Sequence, residues 1–516
     1  MRLEAFLRTH AQRTPEKTVI VHGSRRVSYR ELSTTVTVLA EALKKLGLKA
    51  NDRLILYLGN EVEFGELLYA AFSIGAIVVP LTTRLTAAEL AHIVSDSKPW
   101  GLAFHVNQSA VIDSLPGDAV RHRIAIGGHA EAAHAYGALL APAQNEPIGD
   151  VALDQDDALI LYTSGTTGRP KGALTTHRNL VTQSYFLNSV HWGLTSDDVF
   201  LATTPLAHRF GFSRLSSAIC FGATLVITPK FEPEAAIAAA EANRVTVIAA
   251  VPTVCRMLLP IIQREPSRLS ALRTILTTGE AFPVPLKEAL RDNLPHVGLI
   301  SFFGQTEAGG VTTLAPDEQI SHAASVGRPT PGVEVKLVNE AGARVGVDQV
   351  GELLVRSGTP GSWTTMRGYF DRPEATAETI VDGWIKTGDL ARQDADGYLY
   401  IVDRKKDMII SGGYNIYSKE VEVALLTDPG VADAAVIGVP DAVYGEAVLA
   451  FIEPRPGAKV TPESVIARCR DLLAGYKKPR HVILRSELPR NSMGKILKNE
   501  LRRQALAELE AAKAPA

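Results

Sequence analysis

The run Tyr162-Thr163-Ser164-Gly165-Thr166-Thr167-Gly168-Arg169-Pro170-Lys171-Gly172 constrains the fold more than any other stretch of the chain. It follows Ala158-Leu159-Ile160-Leu161, an apolar run that reads as a buried strand, so the hydroxyls and glycines begin where a strand ends and the chain must turn. Glycines let backbone N–H groups approach an anion, hydroxyls add donors, and Lys171 adds a full positive charge. That is the chemistry of a phosphate cradle. It is not the loop of P-loop NTPases, because no Gly-Lys-Ser/Thr triplet lies four residues after a glycine. A helical pattern from Leu180 to Val190 follows, which separates the run from a flexible Ser/Gly linker.

A chain of 516 residues exceeds what one hydrophobic core serves, so two or more domains are expected. The net charge of -2 gives no general attraction to nucleic acid or an anionic membrane, and phosphate affinity must therefore be local. Cys220, Cys255 and Cys469 are far apart and odd in number, which points to a reducing compartment without a disulfide frame or zinc spacing. The first seven residues lack a signal-peptide core, and the most apolar stretch, Leu67 to Leu81, is broken by Ser73, Gly75 and Pro80 and is too short to span a bilayer. The expectation is a cytoplasmic protein with no transmembrane segment, a monomer or homodimer.

Helical and strand patterns alternate from Arg30 onward: helix Tyr29 to Leu46, strand Arg53 to Leu58, helix Glu61 to Ser73, strand Ala76 to Pro80. This predicts an α/β layer with a largely parallel sheet. After the loop, Val199 to Ala202, Leu225 to Ile227 and Val245 to Ile248 read as strands. Leu272 to Leu276 leads into Thr277-Thr278-Gly279-Glu280-Ala281, and Gly298 to Ser301 leads into Phe302-Phe303-Gly304. Strands that end in polar, glycine-containing loops are where open α/β sheets bind ligands. Beyond Val333 the pattern turns to alternating strands, a half-exposed β subdomain, and about 110 residues after Asp403 fit a small α/β domain.

Five further motifs stand in order after the loop: Phe303-Gly304-Gln305-Thr306-Glu307, Ser325-Val326-Gly327-Arg328-Pro329, Gly383-Trp384-Ile385-Lys386-Thr387-Gly388-Asp389, Asp403-Arg404-Lys405-Lys406-Asp407 and Pro489-Arg490-Asn491-Ser492-Met493-Gly494-Lys495. Together the six resemble the adenylate-forming superfamily of acyl-CoA synthetases, luciferases and peptide-synthetase adenylation domains, most nearly an acyl-CoA synthetase. The resemblance implies a large N-terminal domain of layered α/β sheets with a β subdomain, residues 1–403, and a mobile C-terminal α/β domain, residues 404–516, hinged near Lys406.

It also implies roles. ATP and AMP would be held by Thr163, Ser164, Gly165, Thr166, Thr167, Gly168 and Lys171 at the phosphates, by Gly279, Glu280, Ala281, Phe302, Phe303, Gly304 and Thr306 around the adenine, by Asp389 at the ribose and by Arg404 at the ribose or phosphates. Glu307, with Thr163, would hold Mg2+, a hard cation that suits oxygen donors. His208 would stand near the acyl carboxylate, in a pocket walled by Phe210, Val251, Phe282 and Phe302. It need not act as a base, because a carboxylate with a pKa near ~4 is already ionised. Lys495 would offset the charge between carboxylate and α-phosphate, and Ser411, Gly412 and Gly413 would line the tunnel for coenzyme A.

The activity implied is an ATP-dependent carboxylic acid–CoA ligase that passes through acyl-AMP. Loading of a carrier protein and luciferase-like oxidation are the alternatives, separated by the acceptor supplied. No acidic residue follows Thr203-Thr204-Pro205 where amino-acid activators place an aspartate, and Phe302 stands where a glycine is frequent, which points to a short pocket for an acid that is not an amino acid. Arg209 and Arg214, beside His208, could recognise a second carboxylate.

Overall fold

A computed structural model of the chain describes residues 2–141, 151, 156–163, 170–280, 282–490 and 496–511. The chain divides into two compact units, one of residues 1–336, 354–387 and 397–399, the other of residues 337–353, 388–396 and 400–516. The division runs through the strands Glu334–Val338, Gly351–Arg356 and Trp384–Gln393.

In the first unit two large sheets enclose buried helices. One has nine strands, and Gly298–Gln305, Thr274–Thr277, Val247–Ala250, Val199–Ala202, Thr224–Ile227 and Thr18–His22 run parallel in its middle. The other has eight strands, with Asp157–Thr163, Ile77–Leu81, Arg53–Tyr57, Gly101–His105 and His122–Ile126 parallel. The parallel sheets agree with the alternating pattern in the sequence. Helix Val62–Ile74 is buried at every residue but Glu63 and ends at Gly75, whose φ of 82° only glycine adopts freely. It shares one core with helix Arg209–Phe221, including Phe64, Leu68, Phe212 and Leu215. Helices apolar on every side have this cause: each contacts protein all round.

Two local expectations are corrected. The phosphate run is followed first by a strand, Lys171–Thr176, which pairs antiparallel with Asp157–Thr163, so Lys171 sits on a strand and not in the loop. Likewise Phe302, Phe303 and Gly304 belong to the strand Gly298–Gln305, because Gly309–Leu314 returns alongside it and keeps its backbone paired, Phe303 opposite Thr312. The helical pattern from Leu180 is a short α-helix, His177–Val181, that widens into a π-helix, Thr182–His191.

The second unit is built on the long hairpin Val431–Asp441 and Gly445–Pro454. Along its first strand Ala434 and Val436 face one core with helices Ser418–Leu425 and Pro462–Leu472, while Ala435, Ile437 and Val439 face another with helix Lys498–Ala511. Among the described residues no helix is long and apolar enough to cross a membrane.

Candidate active site

The phosphate run joins the two strands of an antiparallel hairpin, with Tyr162 opposite Gly172 and Thr163 opposite Lys171. A Cβ on Gly172 would lie 2.4 Å from Ile160 and 3.3 Å from the Tyr162 ring, so only glycine lets the strands close at this point. Ser164, Gly165, Thr166, Thr167 and Gly168 lie outside the described residues. At the strand end, the Thr163 hydroxyl donates to Glu307 Oε1 at 3.3 Å, and the Tyr369 hydroxyl donates to the same oxygen at 3.0 Å. The Glu307 carbonyl accepts from Met366 N at 2.7 Å, which fixes its backbone.

Tyr369 lies on the two-residue strand Gly368–Tyr369, opposite Ala173, and Lys171 Nζ stands 5.3 Å from the centre of its ring. Burial first, then the charge of Glu307, raises the Tyr369 pKa, so the phenol keeps its proton and donates it. A hydroxyl, a carboxylate and a cation thus converge at the hairpin end. Tyr369 was missed in the sequence, where a lone tyrosine after a glycine has no local signature.

The loop before helix Arg209–Phe221 is pinned by Asn60, whose Oδ1 accepts from Leu206 N at 2.8 Å. Gly211 packs so closely that a Cβ would sit 2.1 Å from Pro205 O. His208 is the helix N-cap, its Nδ1 accepting from Phe210 N at 3.4 Å. Although its surface stays open to solvent, the protein packed around it, and next the Arg209 guanidinium, lower its pKa to about 4. The imidazole is therefore neutral at pH 7. Arg209 donates to Gln183 Oε1 and, at 3.3 Å, to Thr175 Oγ1. Burial lowers its pKa to about 10, against the pull of Glu307, and it remains cationic.

At the neighbouring strand ends, Gly279 takes φ 92°, and Glu280 accepts from the Thr253 hydroxyl at 2.9 Å. Ala281 lies outside the described residues. Phe302, Phe303, Gly304 and Thr306 are half-buried along one strand and the turn after it. Gly304 backs directly onto Gly309, whose carbonyl a Cβ would meet at 2.4 Å.

Beside this strand lies a small cavity of about 20 Å³, partly open to solvent, lined among others by Gln183, Leu187, Trp192, Arg214, Phe302 and Thr312. Phe302 packs on Trp192 at 4.8 Å and edge-on against Phe210 at 5.8 Å between ring centres. Val251 and Phe282 do not join it and pack instead with a second core around Val254, Leu258 and Leu286. Of the lining residues missed in the sequence, Gln183 and Leu187 come from the π-helix, Trp192 follows it and Thr312 lies on the strand Gly309–Leu314; a pattern of apolar residues does not tell which face meets a cavity.

In the second unit Arg404 Nε stands 2.6 Å from the buried carboxylate of Asp389. Lys406 is exposed in the 3-10 turn Lys405–Asp407. Ser411 ends one strand of a tight hairpin whose turn is Gly412 and Gly413, at φ 57° and 81°, the left-handed pair such turns require. Lys495 lies outside the described residues; Arg490 and Ile496, on either side of it, pair as an antiparallel bridge.

Known proteins match this chain over nearly its whole length. Residues 7–370 match the AMP-binding enzyme profile, and residues 420–495 that of the AMP-binding enzyme C-terminal domain. A feruloyl-CoA synthase of Amycolatopsis is 38% identical over 498 residues, 96% of this chain and 97% of that protein. An indoleacetate–CoA ligase of Aromatoleum aromaticum is 34% identical over 509 residues, 97% and 98% of the two chains. The solved o-succinylbenzoate CoA synthetase of Bacillus subtilis, in complex with its acyl-adenylate intermediate, superposes with a TM-score of 0.85 at 29% identity over 96% of this chain and 97% of that one. On the strength of these matches and of the motif residues gathered in each unit, the chain belongs to the AMP-binding enzyme family, the adenylate-forming superfamily that includes the acyl-CoA synthetases.

Proposed function

We propose that this protein is an ATP-dependent carboxylic acid–CoA ligase working in two steps. A carboxylate oxygen of the acid attacks the α-phosphorus of ATP, and the bond to the leaving pyrophosphate breaks, giving acyl-AMP. The thiol of coenzyme A, losing its proton, then attacks the acyl carbon and AMP leaves with the electron pair of the broken acyl–oxygen bond. Neither step needs a redox partner, and both depend mainly on positioning and charge neutralisation.

The observation that carries this reading is the convergence of Thr163, Lys171, Glu307 and Tyr369 at the mouth of the phosphate hairpin. Lys171 and the loop Ser164 to Gly168 take the phosphates, with Arg209 a second cation close by. Glu307 and the Thr163 hydroxyl are hard oxygen donors, and sites that hold magnesium through one or two carboxylates plus substrate phosphates need no larger cage. Magnesium bound there would neutralise triphosphate charge. Neutral His208 hydrogen-bonds and orients the acyl carboxylate without removing a proton. Phe303 and the Gly279–Glu280 turn take the adenine, Asp389 and Arg404 the ribose, Lys495 the reacting oxygens, and Gly412–Gly413 the pantetheine arm, with Lys406 as the hinge between steps. The three cysteines are buried and unpaired, which accords with the cytoplasm.

The test is product analysis. Purified protein with ATP, magnesium, an acid panel and either coenzyme A or a carrier protein should give AMP, pyrophosphate and acyl-CoA; ADP and phosphate would overturn the reading. Lys495→Ala should lose about 100- to 1000-fold in acyl-AMP formation while still turning supplied acyl-AMP into thioester.

A further inference from the structure

Arg214 is the most heavily buried cation near the cavity, 2% exposed, and neither step of the proposed reaction uses it. Its Nε and Nη1 find no hydrogen-bond acceptor among the described residues, yet its side chain lines the cavity with Gln183, Asn188, Trp192, Phe302 and Thr312. The other polar neighbours are already engaged with each other or the backbone: Asn188 donates to Ser217 at 2.6 Å, Ser213 to Arg209 O at 2.8 Å and Thr312 to Val326 O at 2.5 Å. Among the described residues its charge is met by the Phe210 ring face, 5.5 Å away.

Buried charges are ordinarily paired, and one that faces a cavity unpaired is arranged for a counter-charge that arrives with a ligand. Burial, with no acidic neighbour to oppose it, lowers the Arg214 pKa to about 9, so it is still cationic at neutral pH. Arg209 cannot fill the same role, since Gln183 and Thr175 hold it. Leu187, Trp192 and Phe302 give the cavity one apolar side.

Resting on the ligase reading above, we propose that Arg214 is a specificity residue that pairs with a second carboxylate at the far end of the acyl substrate. Arg214 stands six positions after His208, the N-cap of the same helix, about 9 Å of rise, so the second carboxylate stands several bonds from the one that is activated and not on the adjacent carbon. The substrate class is therefore an acid with an apolar body, carboxylated at both ends. The guanidinium fork matches a carboxylate with two parallel hydrogen bonds, which an ammonium cannot make.

The experiment compares pyrophosphate release with adipate, pimelate and 4-carboxyphenylpropanoate against hexanoate, heptanoate and 3-phenylpropanoate. The wild type should favour the diacids in kcat/KM by about 100-fold or more, as sites built around a buried polar partner do. Arg214→Met should abolish that preference by lowering the diacids and sparing or raising the monoacids, with KM for ATP unchanged. Arg214→Lys, which keeps the charge, should fall between and guards against a folding defect in the first variant. Equal rates for diacids and monoacids, a preference for malonate, or a uniform loss in both variants would overturn the assignment while leaving the ligase reading intact. AMP formation from none of the acids would instead count against the ligase reading itself.

Discussion

The Tyr369 hydroxyl donates to Oε1 of Glu307 at 3.0 Å, the same oxygen that accepts from Thr163. Two donors on one carboxylate oxygen fix the direction of the other, Oε2. Tyr369→Phe removes one donor and should lower kcat/KM for ATP about tenfold, the usual worth of a hydrogen bond to a charged group. Glu307→Gln should cost on the order of 100-fold or more. Pyrophosphate-release kinetics at varied Mg·ATP check both, and wild-type values in the two variants would contradict the role given to the pair.

His208 titrates at about 4, held down by its packing and by Arg209. Across pH 5.5 to 8.5 it should not change charge. The pH profiles of acyl-AMP formation for wild type and His208→Gln should accordingly have the same shape and differ only in height. A limb near pH 6.5 present in the wild type and missing from the variant would mean that the imidazole ionises during the reaction.

Lys287 is 1% exposed, donates to Ala323 O at 2.8 Å, and has its pKa lowered by burial to about 8. Its native pKa is below the unfolded value, so between pH 8 and 10.5 the unfolded chain binds more protons and stability rises with pH. The cost of burying the ammonium, on the order of 3 kcal/mol, is present below pH 8. Lys287→Met should therefore unfold at higher urea than wild type at pH 7, less the ~1 kcal/mol of the lost hydrogen bond. The advantage should shrink toward pH 10.5, and a difference independent of pH would refute the assignment.

Gly211→Ala would place a methyl 2.1 Å from Pro205 O. Overpacking against rigid backbone should destabilise the protein by about 3 kcal/mol and displace the loop that carries His208. Gly137, where an added Cβ meets nothing within 4 Å, is the control, and its alanine variant should melt within a degree or two of wild type. Similar melting of both variants would show that the loop yields.

Much of this was legible in the chain because strong periodicity and turn chemistry are local. The apolar run before Thr163, the helix that ends at Gly75 and the Gly412–Gly413 turn each announce themselves within a few residues. What sequence reasoning lost depends on distant pairing. Phe302 to Gly304 reads as a loop until Gly309–Leu314 returns to pair with it, and Lys171 reads as loop until its strand finds Thr163. Val251 and Phe282 are apolar and adjacent to motifs, which is equally true of a residue that faces the neighbouring core. Tyr369 reaches Glu307 across 62 residues, and nothing nearby in sequence marks it. Arg214 could be noticed beside His208, but not its burial or its unpaired nitrogens.

The π-helix Thr182–His191 is tied to helix Arg209–Phe221 by Ser184 to Ser216 and Asn188 to Ser217, both at 2.6 Å. Its wider turn accommodates one more residue per loop of backbone than an α-helix does. Deleting a single residue within it would remove that extra residue and change which side chains of the segment face the cavity beside Phe302, while the hairpin that meets Glu307 stays as it is. The segment that lines the cavity and the hairpin that carries Thr163 are thus separate pieces of chain, and one can change while the other is left intact.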